Sequence, residues 1–450
     1  LYVQLVGDWN DIKCDLGGGA NAPMEPMLGC VEGTDWYPEI AIGRFSGSSP
    51  AQITVQVNKA INYEKTTTEN TDWYSNSLGV GSSEGSSNGD DSEMDKSHIQ
   101  IIYDNKLDPF SYDQQFTSYD PGANTSQVAA AVNEGISIAN YCGHGSNTAW
   151  VTSGFSNTNV AQLTNGDKLP FIFSVACVNG AFHSGECFAE AWLKKENGGA
   201  VMTLMATINQ PWQPPMRGQD YFNDILTGGY DYNNNPGNGI NTEEGRTFIG
   251  SIVVNGLILM YTEASAGQDL ETLQTWTTFG DCSIQPRTIA PSKLSLSNDV
   301  IISGVDFNTI VTSNGDPVVG AMVGLSQAEG DLFYSAITDE NGEITIPHEL
   351  IPGDAKLVVT AMNKETIYMD LVVISPDGPY MVINDFEMNT EDGLVIYNSD
   401  VSMDLVFENL GSDPATGVSV TIASEEDMYC SLISDVTVEI GNIDADETVT

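Results

Sequence analysis

Short apolar runs alternating with helical spacings set the texture of residues 1–287. Residues 1–6 predict a buried strand ending at Gly7-Asp8, and 40–42 another. Ser49-Pro50 offers an N-cap and first-turn proline to a helix carrying Ile53, Val57, Ala60, Ile61 and Glu64. Residues 126–134 predict a second helix, capped by Ser126 and stopped by Gly135. Strands follow at 136–141, 170–176 and 200–207, with a helix over 186–196 that ends at Gly198-Gly199. This alternation predicts a mainly parallel sheet covered by helices. Two polar stretches interrupt it. Residues 66–98 hold the loop GVGSSEGSSNGDDSEMD, and residues 229–242 read GYDYNNNPGNGINT. A long loop inside a compact α/β domain is functional or mobile.

After Arg287 the pattern changes to short alternating strands divided by Asn-Gly and Pro-Gly turns, the spacing of a β-sandwich. Residues 377–450 repeat that texture in MVINDFEM, SMDLVFENL and GVSVTIAS, and the last sandwich reads as unfinished at Thr450. The expected division is therefore an α/β domain over 1–287, a sandwich over 288–376 and a second, incomplete sandwich over 377–450. No fixed-period solenoid repeat is visible.

Charge supports a boundary near 288. Residues 1–287 carry 12 basic and 33 acidic side chains, whereas 288–450 carry 3 and 29. The whole chain has 15 Lys+Arg against 62 Asp+Glu, a net charge of −47. Such a surface cannot displace the counterions of a nucleic acid or bind anionic lipid through charge. A hydrophobic fraction of 41% with mean hydropathy −0.14 can fill cores, which excludes a disordered chain. No apolar run reaches the ~20 residues that span a bilayer. Seven cysteines in 450 residues are too few for a disulfide scaffold, and their odd number leaves at least one thiol free or paired outside the chain. No signal peptide is visible; opening inside a strand suggests a processed or truncated product.

Two strand ends concentrate the chemistry. The strand at 136–141 runs into Cys142-Gly143-His144-Gly145-Ser146, and the strand at 170–176 runs into Cys177-Val178-Asn179-Gly180. Sites in open α/β sheets lie beyond the carboxyl ends of strands. If the two strands are neighbours, His144 and Cys177 share a crevice, and an imidazole can take or stabilise the proton of a nucleophilic thiol. The N–H groups of Gly145 and Cys177 could then hold an oxyanion. Two other readings use the same atoms. A cysteine closing an apolar strand is commonly a core residue. Cys142, His144, Cys177, His183 and Cys187 could instead hold zinc, although no C-x-x-C pair supports it.

The blocks NYCGHGSNTAW (140–150), LPFIFSVACVNGAF (169–182), CFAEAW (187–192), TINQPWQPPMRGQD (207–220) and WTTFGDCSI (276–284) resemble the gingipain family of cysteine endopeptidases, most of all its arginine-specific members. The resemblance runs from Leu1 to about residue 376 and includes the family's 33-residue spacing from His144 to Cys177. It implies a caspase-like catalytic domain followed by an immunoglobulin-like domain. It further implies Cys177 as nucleophile, His144 as proton acceptor and donor, and Glu84 as the carboxylate that orients the histidine. In the substrate pocket it implies Asp95 at the base, with Trp212 and Met216 flanking an arginine stem and Val175 on the wall. Asp90, Asp91 and Glu93 are neighbouring rivals to Asp95. Calcium is the implied cofactor, through Asp8, Asp11 and Glu39 with backbone carbonyls of 31–37. The acidic stretch 108–120 lacks an EF-hand pattern and reads as surface. The family's further N-terminal α/β segment is missing here, either cut away and still bound or never in this chain.

The resulting expectation is a secreted or surface-attached endopeptidase that cleaves peptides or proteins after Arg. Cleavage after Lys is the runner-up. The alternative from another class is a non-catalytic surface scaffold for adhesion or binding. Scarcity of Arg, four in all and none after residue 287, would also protect such an enzyme from itself. An acidic composition suited to a saline or cold habitat is the competing explanation.

Overall fold

The structure is a computed structural model that describes residues 1–450 except 18, 19, 66, 229–246, 329, 375–377, 391–398, 410, 424–432, 434–436 and 446. The polar loop expected at 229–242, Arg246, Cys430 and the expected boundary at 376/377 lie outside the described residues. By contacts the chain divides into two units. One is Leu1–Ser295 with Ser313–Ala321 and Thr360–Ile367; the other is Leu296–Thr312, Met322–Val359 and Tyr368–Thr450.

The first unit is built on a sheet of eight strands among the described residues. In chain order they are β1 (Tyr2–Val6), β2 (Ala41–Phe45), β3 (Asn76–Gly81), β4 (Gln114–Tyr119), β5 (Ile138–Cys142), β6 (Phe171–Val175), β7 (Met202–Ala206) and β8 (Trp276–Gly280). Their spatial order is β1-β2-β8-β7-β6-β5-β3-β4. All neighbours are parallel except β7 and β8. Residues of β2, β5, β6, β7 and β8 are buried throughout, as strands covered on both faces must be. The covering helices include α1 (Pro50–Lys65), α2 (Asp95–Ile102), α3 (Thr125–Glu134), α4 (Phe188–Lys194), α5 (Gln213–Thr227), α6 (Ile249–Ala264) and α7 (Gly267–Thr275). This is the α/β arrangement expected from the sequence.

Local corrections have clear causes. Asn124, not Ser126, caps α3: its side-chain oxygen accepts the N–H groups of Ser126 and Gln127, both at 3.1 Å. The helix α1 buries Ala60 of the expected apolar set together with Tyr63, but its inward face is rotated from the one the apolar residues define. Ile61 is exposed while Gln56 and Lys59 are buried. Burial of these polar groups is compensated by hydrogen bonds. Gln56 Nε2 donates to the Ser46 carbonyl at 2.8 Å, and Lys59 Nζ donates to the carbonyls of Trp192, Leu193 and Ala200. The 66–98 stretch is not one loop but contains β3, a central strand. Its NSLGVG sequence carries too little apolar bulk to announce a strand, because α2 packs flush against it. A Cβ on Gly81 would lie 2.5 Å from the Lys96 Cα. Part of the acidic stretch 108–120 likewise becomes the edge strand β4.

Arg44 shows how a charge is tolerated inside this unit. It is fully buried beside Glu25, donates from Nε to Glu25 Oε2 at 2.6 Å, and ties down the 7–12 turn through the carbonyls of Gly7 (2.7 Å) and Ile12 (3.0 Å). Replacing Arg44 with Met strands a buried carboxylate and releases that turn. The expected cost is about 3–5 kcal/mol, read as a fall in the thermal unfolding midpoint. The double variant with Glu25→Leu should recover much of it, and an unchanged midpoint in the single variant would contradict this account.

The second unit is all-β among its described residues. Strands Met322–Gln327 and Leu332–Ile337 form an antiparallel pair, extended on the other side by Gly353–Thr360 and Ile367–Val373. Phe307–Ser313 pairs with Glu343–Ile346. Burial alternates along these strands, with Phe307, Thr309, Val311 and Ser313 buried and the residues between them more exposed, because one sheet face is covered and the other is not. Further along, Met381–Asn389 pairs with Ser402–Asn409, and Ala415–Thr421 with Thr437–Ile443. The fold class read from the sequence, an α/β domain followed by all-β structure, is the one observed.

Candidate active site

The ends of three adjacent strands are in register: Gly81 of β3 pairs with Cys142 of β5, which pairs with Val175 of β6. The chain then continues into Glu84 three residues beyond β3, His144 two residues beyond β5 and Cys177 two residues beyond β6. Strand neighbours and carboxyl-end placement thus gather residues separated by up to 93 positions in sequence.

His144 and Glu84 are joined. Their Nε2 and Oε2 atoms are 2.9 Å apart, and both side chains are about half exposed (50% and 59%). An ionised carboxylate only accepts, so Nε2 carries the proton and Nδ1 is the free nitrogen. Trp212 packs on the ring and Tyr141 holds the His144 backbone. The Trp212 ring stands edge-on to it at 5.7 Å. The Tyr141 hydroxyl donates to the His144 carbonyl at 2.6 Å, and Tyr141 is itself stacked on Trp150.

Gly145 brings the histidine loop against the cysteine. A Cβ there would fall 2.3 Å from the Cys177 carbonyl oxygen and 2.9 Å from its nitrogen, so a glycine is required for this approach. Asn179 ties the same segments, donating from Nδ2 to the carbonyls of Ser146 (2.6 Å) and Ala149 (3.1 Å). Val178, directly after the thiol, has φ 50°, a left-handed conformation that is strained for a β-branched residue. Burial pushes the Cys177 thiol above its ordinary value, opposed by backbone groups of Gln210 and Gly145. That direction favours the protonated thiol over the thiolate. Burial is also the first cause that pushes Cys14 and Cys282 to about 12 and Cys30 to about 11.

Asp95 opens helix α2 and is fully buried. A carboxylate at a helix N-terminus is favoured by the helix dipole. Its Oδ2 accepts from the Ser82 hydroxyl at 2.5 Å and its Oδ1 from the Trp212 indole N–H at 2.9 Å. Among the described residues no cation pairs with it. Its rivals differ: Asp90 is engaged by Arg217, Glu93 lies 2.9 Å from the His98 ring, and Asp91 is exposed. Met216, fully buried, follows Trp212 by one helical turn at the start of α5, and Val175 ends β6. Trp212 thus links the Asp95 carboxylate to the His144 ring.

Two metal expectations meet the geometry differently. No group of three or more His, Cys, Asp or Glu with metal geometry exists among the described residues, so the zinc alternative has no assembled site. Asp8 and Asp11 follow the carboxyl end of β1, whereas Glu39 precedes the start of β2. Because β1 and β2 are parallel, these positions lie at opposite ends of the strand pair, roughly 15 Å apart. The three carboxylates therefore do not fit one shared calcium. Asp8 Oδ1 accepts its own turn's Asn10 N–H at 2.7 Å, and Glu39 Oε2 accepts those of Val31 (2.8 Å) and Glu32 (3.3 Å).

Sequence reasoning missed several supporting residues: Ser82, Tyr141, Asn179 and Gln210, whose side chain accepts the Ala176 N–H at 3.0 Å. Only their nearness to recognised motifs could have drawn notice.

A mostly parallel sheet with a thiol, an imidazole and a carboxylate beyond neighbouring strand ends has the form of a cysteine peptidase. The sequence profile of peptidase family C25 matches residues 1–287, and the chain belongs to that family. It is 36% identical over 397 residues to gingipain R1 of Porphyromonas gingivalis, covering 87% of this chain and 38% of that protein. The chain thus spans well under half of that curated relative's length. It also superposes on the crystal structure of the Arg-specific cysteine proteinase gingipain R with a TM-score of 0.74 at 36% identity, covering 83% of this chain and 84% of the other. A complex of the Porphyromonas gingivalis RgpB pro- and mature domains matches with the same TM-score at 35% identity, covering 83% and 85%.

Proposed function

We propose that this chain is a cysteine endopeptidase that hydrolyses peptide bonds after Arg. The observation that carries the proposal is the register of Gly81, Cys142 and Val175, which puts Glu84, His144 and Cys177 at one sheet edge beside the buried Asp95. In this reading the Cys177 Sγ attacks the scissile carbonyl carbon while its proton passes to His144. Glu84 orients the ring and stabilises the imidazolium. The N–H groups of Gly145 and Cys177 donate hydrogen bonds to the developing oxyanion. His144 then protonates the leaving amine as the C–N bond breaks. Water, deprotonated by His144, attacks the thioester and releases the acid and the free thiol.

Asp95 is the proposed base of the arginine pocket. A guanidinium offers the carboxylate a cation that none of the described residues supplies and can lie between Trp212 and Met216, with Val175 on the wall. In the same reading residues 1–287 form the peptidase domain, 288–376 an immunoglobulin-like sandwich and 377–450 a second sandwich. The proposed setting is extracellular or at the cell surface. No helix among the described residues is long and apolar enough to cross a membrane. The pro- and mature-domain complex of the relative supports a cleaved N-terminal segment as a partner. Self-cleavage is restrained by burial as well as scarcity: Arg44 and Arg287 are buried and Arg217 is engaged by three carboxylates.

Calcium enters the proposal in a restricted form: one ion on the 31–39 loop, held by Glu39 and loop carbonyls. Oxygen donors suit this ion, which would brace the loop. The experiment for the whole reading is a substrate profile with Arg, Lys or a neutral residue at the cleaved position, with and without a chelator. The expected outcome is cleavage after Arg above Lys, no cleavage after neutral residues, and a lower unfolding midpoint in chelator that added calcium restores. Equal cleavage at all three would overturn the specificity. No cleavage of any substrate would favour the scaffold alternative, and a midpoint indifferent to chelator would remove the ion.

A further inference from the structure

The loop that joins β3 to α2 touches both walls of the proposed arginine pocket, and it is held under strain. At its start, a Cβ on Gly85 would lie 2.6 Å from Asp95 Oδ1 and 2.8 Å from Trp212 Nε1, so the loop backbone rests on the pocket's base and on one flanking side chain. Four residues on, a Cβ on Gly89 would meet the Met216 methyl at 3.1 Å, so the backbone also rests on the other. The loop then turns through two consecutive non-glycine residues in the left-handed region, Asp91 (φ 48°) and Ser92 (φ 64°). Such backbone persists only where the surroundings over-determine it, and it collects at ligand clamps.

The restraints flank the strained turn. On one side Asp90 Oδ1 lies 3.1 Å from Arg217 Nη2; on the other Glu93 Oε2 lies 2.9 Å from His98 Nδ1. Arg217 follows Met216 on α5 and is anchored independently of the loop. Its Nη1 donates to Asp269 Oδ1 at 2.8 Å, and Glu263 Oε1 lies 3.5 Å from its Nε. Asp269 is nearly fully buried at the start of α7, and its Oδ2 accepts the Ala266 N–H at 3.0 Å. The guanidinium is thus a fixed post on the helix that carries Met216, and Asp90 is the point where the loop fastens to it.

We propose that the Asp90–Arg217 ion pair is a positioning device for substrate recognition: it holds residues 85–93 against Trp212 and Met216 and so sets the pocket's selectivity for a guanidinium over an ammonium. This rests on the reading of Asp95 as the pocket base. Neither residue takes part in bond breaking; each acts through the walls it places. A looser pocket lets the flexible, compact ammonium of Lys compete better with the planar guanidinium of Arg, which needs a fixed geometry.

The test is Asp90→Asn, which unfastens the loop and leaves Arg217 its other two carboxylates. Steady-state cleavage of matched Arg and Lys peptides is measured beside the thermal midpoint and the amide exchange of 85–93. We expect KM for the Arg peptide to rise about tenfold with kcat changed less than twofold. The Arg-to-Lys ratio of kcat/KM should fall by about the same factor, exchange at 85–93 should quicken, and the midpoint should hold within about 2 °C. Asp90→Glu, which keeps the charge, should recover most of the ratio. Unchanged KM and ratio in Asp90→Asn would overturn the proposal, as would a lowered midpoint with intact selectivity. If the unaltered enzyme cleaves neither peptide, the functional reading itself has failed, and the proposal with it.

Discussion

Cys177→Ala is expected to lower cleavage of an Arg-terminated fluorogenic peptide by about 10⁴-fold or more, since loss of a nucleophile leaves only binding and oxyanion stabilisation. His144→Ala should cost a similar factor, and the double variant little beyond either single one, because the two act as a unit. Full activity in Cys177→Ala would exclude the mechanism. Burial raises the thiol's pKa, so the pH dependence has a definite sign. The thiolate is scarce at pH 6 and accumulates as pH rises through and beyond the ordinary thiol range. Alkylation of Cys177 by iodoacetamide in the resting protein should therefore accelerate steadily with pH. Cys142 and Cys187, fully buried and pushed well up by that burial, should label far more slowly. A labelling rate already saturated at pH 6 would mean a preformed thiolate and contradict the upward shift that burial imposes on Cys177.

Asp95→Asn separates recognition from folding. The amide keeps the shape of the carboxylate and can still meet Ser82 and the Trp212 N–H, but it offers a guanidinium no charge. Removing one member of a desolvated charge pair costs about 2–5 kcal/mol, so kcat/KM on Arg peptides should fall by roughly 30- to 5,000-fold. The thermal midpoint should stay level or rise, because the substitution removes a buried carboxylate that no cation among the described residues pairs with. Loss of activity with a gain in stability would be hard to attribute to misfolding. Unchanged Arg cleavage would remove Asp95 from the pocket.

Much of this site was legible before any geometry. The apolar runs at 136–141 and 170–176 are strands buried on both faces, so their hydrophobicity announces them, and polar residues directly after such runs must lie at a sheet edge. That reasoning reached His144 and Cys177 from residue types. It did not reach β3, whose glycines answer the close approach of α2, so the strand that leads to Glu84 read as loop. Glu84 and Asp95 drew attention only through family resemblance. A carboxylate in SSEGSS and another in SEMDKSH look alike in composition, yet one is half exposed on His144 and the other fully buried against Trp212.

The calcium expectation shows the same limit from the other side. Asp8 and Asp11 share one turn and Glu39 comes from a separate segment, so strand direction decides whether they could serve one ion or different ones. With β1 and β2 parallel, the carboxyl end of one faces away from the start of the other. Only pairing direction, which no single segment encodes, separates the two groups.

By itself, then, the sequence determined the class of elements, the acidic surface and the thiol and imidazole proposed to react, because hydrophobic periodicity and side-chain chemistry are local properties. The tertiary structure alone decided which strand ends stand together, which carboxylate is buried without a cation among the described residues and which is spent on Arg217 or His98. Those outcomes depend on register and burial, which arise from contacts between distant segments.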